Sequence, residues 1–359
     1  MNKSHHSEPS KGVLRGAALS GLLLLSAGGF SAASTTAGAK PRIISWLVAH
    51  DRHDKDFNGI NQKFADELYR RSDGRLKIKF VVPNVPESLL DSYAYRHILK
   101  GDVDMSQFGA TAAHVSIFDM PFVFRSYPQA EMVFRGPIGA RLLSSIAESS
   151  GGKLRGMGFT YSGGFRILVG AVPLRRLSDF KGVRMRRGGG GTYLDDLLTP
   201  LGVKLVPPGP SALNDPIAGI VRGKLDLEET EVNRLAFILR VHPELRKRVK
   251  YINLTDHRML VTALVANEKF FDSLSPRDQR VLTQVMQELS VAERKLSVRL
   301  VNRNLAQMTR YGSTVVTMSP SEKEKFVAAG NVVLNRFTAL HSLVEEIRAL
   351  PTDGRLARR

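Results

Sequence analysis

Hydrophobic and polar positions follow two different periods near the start of the chain. Ile43-Ile44-Ser45-Trp46-Leu47-Val48 is a short apolar run of the kind that forms a buried strand, and it ends in a polar loop, His50-Asp51-Arg52-His53-Asp54. Phe57, Ile60, Phe64 and Leu68 then recur every three or four residues, the spacing of one helical face. After the turn signal Ser72-Asp73-Gly74, the residues Leu76-Lys77-Ile78-Lys79-Phe80 alternate strictly, as a half-buried strand does. Strand, helix, strand predicts the opening of an α/β domain.

Two later helices carry explicit start signals. Ser275-Pro276 with Asp278 supplies an N-cap, a proline at the first helical position and an acid in the first turn. No breaker follows until Gly312, so the pattern predicts one helix of about 36 residues, roughly 54 Å long. Val281, Leu282, Val285, Met286, Leu289, Leu296, Leu300 and Val301 give it an apolar face. Such a helix is longer than an ordinary domain needs and suits a brace between two lobes. Ser319-Pro320 with Glu322 repeats the start signal. Residues 346–359 read as a basic tail.

The first 39 residues change the picture of where the protein works. Lys11 and Arg15 precede an apolar stretch from Gly16 to Ala33, and small residues follow, including Ser31-Ala32-Ala33 and Ala37-Gly38-Ala39. That order is the signature of an export signal, cleaved before Ser34 or Lys40, which places the mature, soluble chain in the periplasm. Removing residues 1–39 takes away three basic and one acidic side chain, leaving 49 basic against 33 acidic, a net +16. A surplus of that size attracts anions, and export argues against nucleic acid as the partner. The chain has no cysteine, which excludes thiol nucleophiles, disulfides and thiolate metal sites. His50 and His53 lack an identifiable third ligand for a metal. No G-x-S-x-G, H-E-x-x-H or Walker loop occurs, so no enzymatic reaction is suggested.

The most informative segments are Phe118-Asp119-Met120-Pro121-Phe122-Val123-Phe124-Arg125, then Phe165-Arg166, and Asp179-Phe180-Lys181-Gly182-Val183-Arg184-Met185-Arg186. Gly223-Lys224-Leu225-Asp226 and Thr255-Asp256-His257 come after them. In this order and spacing they resemble the extracytoplasmic solute-binding subunits of TRAP transporters, the DctP-like family 7, from about Ile43 to Phe337. The resemblance implies a two-lobed α/β periplasmic-binding-protein fold, type II-like, with a hinge and the long bracing helix. It implies lobes of 40–163 plus 255–292 and 164–254 plus 293–345.

It further implies that Arg186 pairs with a ligand carboxylate and that Arg166 is a second ligand-facing arginine. Guanidinium suits this use, being a planar fork that stays charged at any relevant pH. Without ligand, Arg186 is expected to face water in an open cleft. The family's G-Q-E-N-P segment is replaced by Leu227-Glu228-Glu229-Thr230-Glu231. Glu229 aligns with the family glutamate, with roles open between orienting an arginine, holding a ligand donor and helping to bind a cation. Thr230 stands where relatives carry a ligand-bonding asparagine. Gln107, Phe108, Tyr161, His50 and His257 complete the candidate ligand-binding set. The tetraglycine Gly188 to Gly191 replaces a family proline and is either an anion-binding backbone or a loose turn. No cofactor and no metal are expected. The implied partners are a small organic acid and a permease of one small and one large membrane subunit. The alternatives are a sensor that presents its bound anion to a membrane kinase, and an exported enzyme or nucleic-acid binder using the positive surface.

Overall fold

A computed structural model describes residues 40–48, 55–85, 87–187, 192–207 and 218–353. The strands are β1 (Arg42–Leu47), β2 (Leu76–Val81), β3 (Met105–Gly109), β4 (Leu154–Gly170), β5 (Arg184–Arg186), β6 (Lys204–Val206), β7 (Leu227–Glu231), β8 (Tyr251–Asn253), β9 (Met259–Asn267) and β10 (Thr314–Val316). The helices are α1 (Lys55–Arg71), α2 (Glu87–Lys100), α3 (Tyr127–Arg135), α4 (Pro137–Ser149), α5 (Thr192–Leu198), α6 (Ala218–Val221), α7 (Val232–Val241), α8 (Glu268–Asp272), α9 (Pro276–Arg310), α10 (Pro320–Leu334) and α11 (His341–Arg348).

The strands run in the order β2-β1-β3-β9-β4-β7-β5-β6, with β8 also on β4 and β10 on β8. β1 lies parallel to β2 and β3, as the opening strand, helix, strand pattern requires. The 17-residue β4 organises the rest. Its first part pairs antiparallel with β9, and from Arg166 onward it pairs with β7 and β8. The register shifts between Thr160 and Gly164, at the change of partners. Two glycines permit this break. Gly164 has φ +72, and a Cβ on Gly163 would sit 1.7 Å from Cγ of Glu231.

Apolar side chains cover both faces of each half of this sheet. In the first half, Ile44, Trp46, Met105 and Leu264 meet Leu282, Val285, Met286 and Leu289 of α9. Phe108, Phe118, Phe159 and Val261 form the core on the other face. In the second half, Ile167, Val169, Ile252 and Leu235 pack with Val301 and Met308, also from α9. Leu168, Met185 and Leu227 face Phe180 and Phe326. One helix of 35 residues, about 52 Å at ~1.5 Å per residue, therefore contributes to the cores of both halves. Its N-cap is the expected one: Ser275 accepts a hydrogen bond from the Asp278 N–H, as Ser319 does from Glu322 ahead of α10. This is the two-lobed α/β fold with a long bracing helix.

The sequence pattern did not reveal the polar side of α9. Glu293, Arg294, Ser297 and Asn304 are buried. Arg294 donates to Glu131 of α3 at 2.6 and 3.0 Å and to the Phe159 carbonyl at 2.5 Å. The C-terminal segment also differs from its reading as a tail. α11 runs to Arg348 and buries Val344 and Ile347 in the core beside Phe124, so residues 346–348 are part of a packed helix.

Candidate functional site

The break in β4 delivers Arg166 directly opposite Glu231 of β7. Strand alternation puts Glu229 and Glu231 on the same face as Arg166, and its guanidinium bonds both. Nη2 donates to Glu229 Oε2 at 2.9 Å and Nη1 donates to Glu231. A second arginine arrives from the other side. Arg258, immediately before β9, grips Glu229 with two bonds, Nε to Oε1 at 2.8 Å and Nη2 to Oε2 at 3.0 Å. Its Nη1 reaches Asp119 Oδ1 at 2.7 Å. His257 completes the cluster, with Nε2 2.9 Å from Glu229 Oε1 and Nδ1 2.9 Å from the Thr255 hydroxyl. Glu229 is thus the common acceptor for three side chains.

Burial and pairing set the protonation states. Burial alone would raise the Glu229 carboxyl, but Arg166 and Arg258 outweigh it and hold the group well below 4.5. Burial would likewise weaken both guanidinium charges. Their carboxylate partners reverse the sign, and both arginines titrate above their ordinary range. His257 moves down from 6.5, because burial exceeds the opposing pull of Glu229. The imidazole is then neutral at neutral pH, with Nε2–H donating to Glu229 and Nδ1 accepting from Thr255. Asp119 is raised by burial, which Arg258 offsets only in part.

Arg186 occupies a separate position. It lies on β5 beside β7, and alternation places Glu228 on the face of β7 opposite to Glu229. Both Nε and Nη2 of Arg186 contact one oxygen, Glu228 Oε1, at 2.9 and 2.7 Å. Glu228 is 3% exposed and Arg186 21%. The second oxygen, Oε2, is buried with no hydrogen-bond partner among the described residues. Burial raises the Glu228 carboxyl from 4.5 to about 7 even though Arg186 pulls it down. Arg186, expected to face water in an open cleft, is 21% exposed and already holds a buried carboxylate on one side. Arg187 points elsewhere, with Nε 3.3 Å from Asp195.

The remaining candidates are dispersed. Thr230 is buried on β7, opposite Ile167 and on the Glu228 face. Gln107 is fully buried on β3, donating to Thr160 at 2.8 Å and to Glu293 of α9 at 2.9 and 3.1 Å. Its neighbour Phe108 lies in the apolar core against Tyr95. Tyr161 is 2% exposed among Tyr127 and Phe134, and burial raises its hydroxyl. His50 and Gly188 to Gly191 lie outside the described residues. Sequence reasoning missed Arg258, Asp119 and Glu231 as members of the cluster, and Glu228 as the partner of Arg186. All but Arg258 belong to segments already singled out, and Arg258 directly follows one. The described residues contain no group of acids and histidines arranged to hold a metal. None of their helices is long and apolar enough to cross a membrane. A groove of about 720 Å³ between α3, α4 and α11, lined by Pro128, Met132, Ile138 and Leu350, contains none of these arginines.

The family model described as bacterial extracellular solute-binding protein, family 7 (DctP), matches residues 48–208 and 230–340. The chain belongs to this family. The matched ranges include Arg166, Arg186, Glu231 and residues 254–258, whereas Glu228 and Glu229 fall between them. Among curated relatives, the C4-dicarboxylate-binding protein DctB of Bacillus subtilis is 21% identical over 300 residues, 81% of this chain and 82% of that protein. The 2,3-diketo-L-gulonate-binding periplasmic protein YiaO of Escherichia coli is 26% identical over 285 residues, 77% of this chain and 81% of that protein. The fold matches a TRAP periplasmic solute-binding protein from Citrobacter koseri, solved with bound D-glucuronate. The TM-score is 0.71 at 21% identity, covering 86% of this chain and all of the other. It also matches the sugar acid binding protein DctPAm of Advenella mimigardefordensis in complex with galactonate, with TM-score 0.70, 22% identity and coverage of 86% and 97%.

Proposed function

We propose that this family 7 protein is the periplasmic receptor of a TRAP transporter, capturing a small organic carboxylate and delivering it to a membrane permease of two subunits. The lobes are 40–163 plus 255–292 and 164–254 plus 293–345, and the protein binds its solute without transforming it. The observation that carries this reading is the geometry of Arg186. Nε and Nη2 rest on Glu228, while Nη1 has no acceptor among the described residues and the side chain keeps an accessible edge. An arginine anchored on one side and open on the other is oriented in advance for an incoming carboxylate, which needs strong hydrogen bonds to replace those of water. Arg166 and Arg258 are each bonded to two carboxylates, so they fix the frame around β4, β7 and β9. The solutes for which the relatives above are named, or with which they were solved, are acids throughout, which fits this chemistry.

The test is a thermal-shift panel of D-glucuronate, D-galactonate and succinate, with neutral glucose as control. A specific solute at 100 times its Kd stabilises by about 2.7 kcal/mol. For about 320 mature residues that is a rise of roughly 4 °C. A rise with at least one acid and none with glucose supports the reading. No response to any acid, or an equal response to glucose, overturns it.

A further inference from the structure

We propose that Glu228 couples capture of an organic anion at Arg186 to the uptake of one proton from solvent. The inference rests on the organic-acid reading above and adds a specificity-determining residue to it. Three features of the geometry carry it. Arg186 spends two donors on a single oxygen, Glu228 Oε1, at 2.9 and 2.7 Å. Glu228 is 3% exposed, so water does not solvate its charge. Oε2 is buried and has no donor among the described residues. A dry carboxylate oxygen with no donor beside it is the part of the site where a proton relieves the largest cost.

The charged groups acting on Glu228 are Arg186 from β5, Arg166 from β4 and Glu229 from its own strand. Arg166 is already bonded to Glu229 and Glu231, which leaves Arg186 as the one cation bonded to Glu228 among the described residues. A ligand carboxylate on the open edge of Arg186 competes for that same cation and brings a second negative charge beside the first. Two carboxylates sharing one site do not both stay ionised there, and the buried one takes the proton. The O–H bond forms on Glu228, the proton leaves the buffer, and the new hydroxyl can donate to the ligand. The free protein supports this assignment, because burial already places Glu228 at about 7. Binding raises it further, so the complex holds a proton that the free protein lacks above about pH 7.

The experiment is calorimetric titration of the mature chain with D-glucuronate and D-galactonate, acids that are themselves ionised throughout the range. Titration at pH 8 in two buffers of different ionisation enthalpy reads proton uptake directly. We expect about 0.5–1 proton taken up per ligand bound, and affinity that weakens about tenfold from pH 7 to 8.5. In Glu228→Gln, an isosteric amide that cannot titrate, uptake vanishes and the pH profile flattens. Wild-type binding without proton uptake overturns the proposal whether or not the variant folds, and leaves the organic-acid reading intact. Uptake that persists in Glu228→Gln assigns the proton to another group and also overturns it. If neither these two acids nor succinate binds at any pH, the organic-acid reading and this inference fall together.

Discussion

Glu229→Gln is the substitution that most directly tests the charge cluster. The carboxylate accepts bonds of 2.8–3.0 Å from Arg166, Arg258 and His257. The side chains of Glu229, Arg166 and Arg258 are only 10%, 16% and 20% exposed, so solvent screens the attraction weakly. Glutamine keeps the volume and one acceptor oxygen, but turns its NH2 toward arginine donors and removes the charge that both guanidiniums share. Removing one partner of a buried pair costs about 3–5 kcal/mol. At ~2.1 cal/mol/K per residue, about 320 residues lower Tm by roughly 4–7 °C for that loss.

The pH dependence supplies a second check. The folded-state value of Glu229 lies well below 4.5, so its contribution is complete above the unfolded value and is lost as pH falls. The gap between wild type and variant should narrow by about 1.4 kcal/mol for each pH unit below 4.5, until the folded value is passed. Calorimetric melting at pH 7 and pH 3.5 reads both effects. Glu67→Gln, which loses an exposed Arg70 pair and a half-buried Arg71 pair at the surface, serves as the control and should move Tm by no more than about 1 °C. A drop below 1 °C for Glu229→Gln at pH 7, or a gap that does not change in acid, would refute the buried-hub argument.

Four further outcomes are expected. Arg186→Ala should weaken organic-acid binding by roughly 10²- to 10³·⁵-fold, from about 3–5 kcal/mol for a broken buried pair. Arg186→Lys should bind less well than wild type, and Arg187→Ala should lose under about tenfold. Comparable losses in the two alanine variants, measured by titration calorimetry, would reduce the site to diffuse attraction. The folded-state value of Glu228 lies above its unfolded value, so its ionisation destabilises the fold as pH rises from 4.5 to about 7. Losing Arg186 extends that window upward, and Arg186→Ala should be more destabilised at pH 8.5 than at pH 6 in denaturant melts. Gly163→Ala, whose Cβ would fall 1.7 Å from Glu231 Cγ, should cost about 1–3 kcal/mol by urea unfolding, and a neutral result would show that β7 yields freely. If the solute closes the hinge between the lobes, saturating ligand should lower the radius of gyration in small-angle scattering without a change of mass, and an unchanged radius with binding shown independently would rule out that closure.

The sequence alone determined the elements whose causes are local. The opening strand, helix, strand unit follows from the change between helical and alternating periods at Phe57–Leu68 and Leu76–Phe80. α9 and its start follow from Ser275, Pro276 and the absence of a breaker before Gly312. The family was legible because the segments around Arg166 and Arg186 keep their order and spacing. Tertiary structure decided the pairing. Arg166 meets Glu231 across 65 positions, Arg186 meets Glu228 across 42, and Arg258 meets Asp119 across 139. No periodicity encodes such distances, because they depend on how β4 changes partners at Gly163 and Gly164 and on which strand lies beside it. The same limit applies to α9, where Glu293 and Arg294 are buried only because Gln107, Glu131 and the Phe159 carbonyl surround them. Hydrophobic pattern reports which face of an element turns inward. Which charges meet there, and which buried oxygen is left without a donor, is fixed only when distant strands come into register.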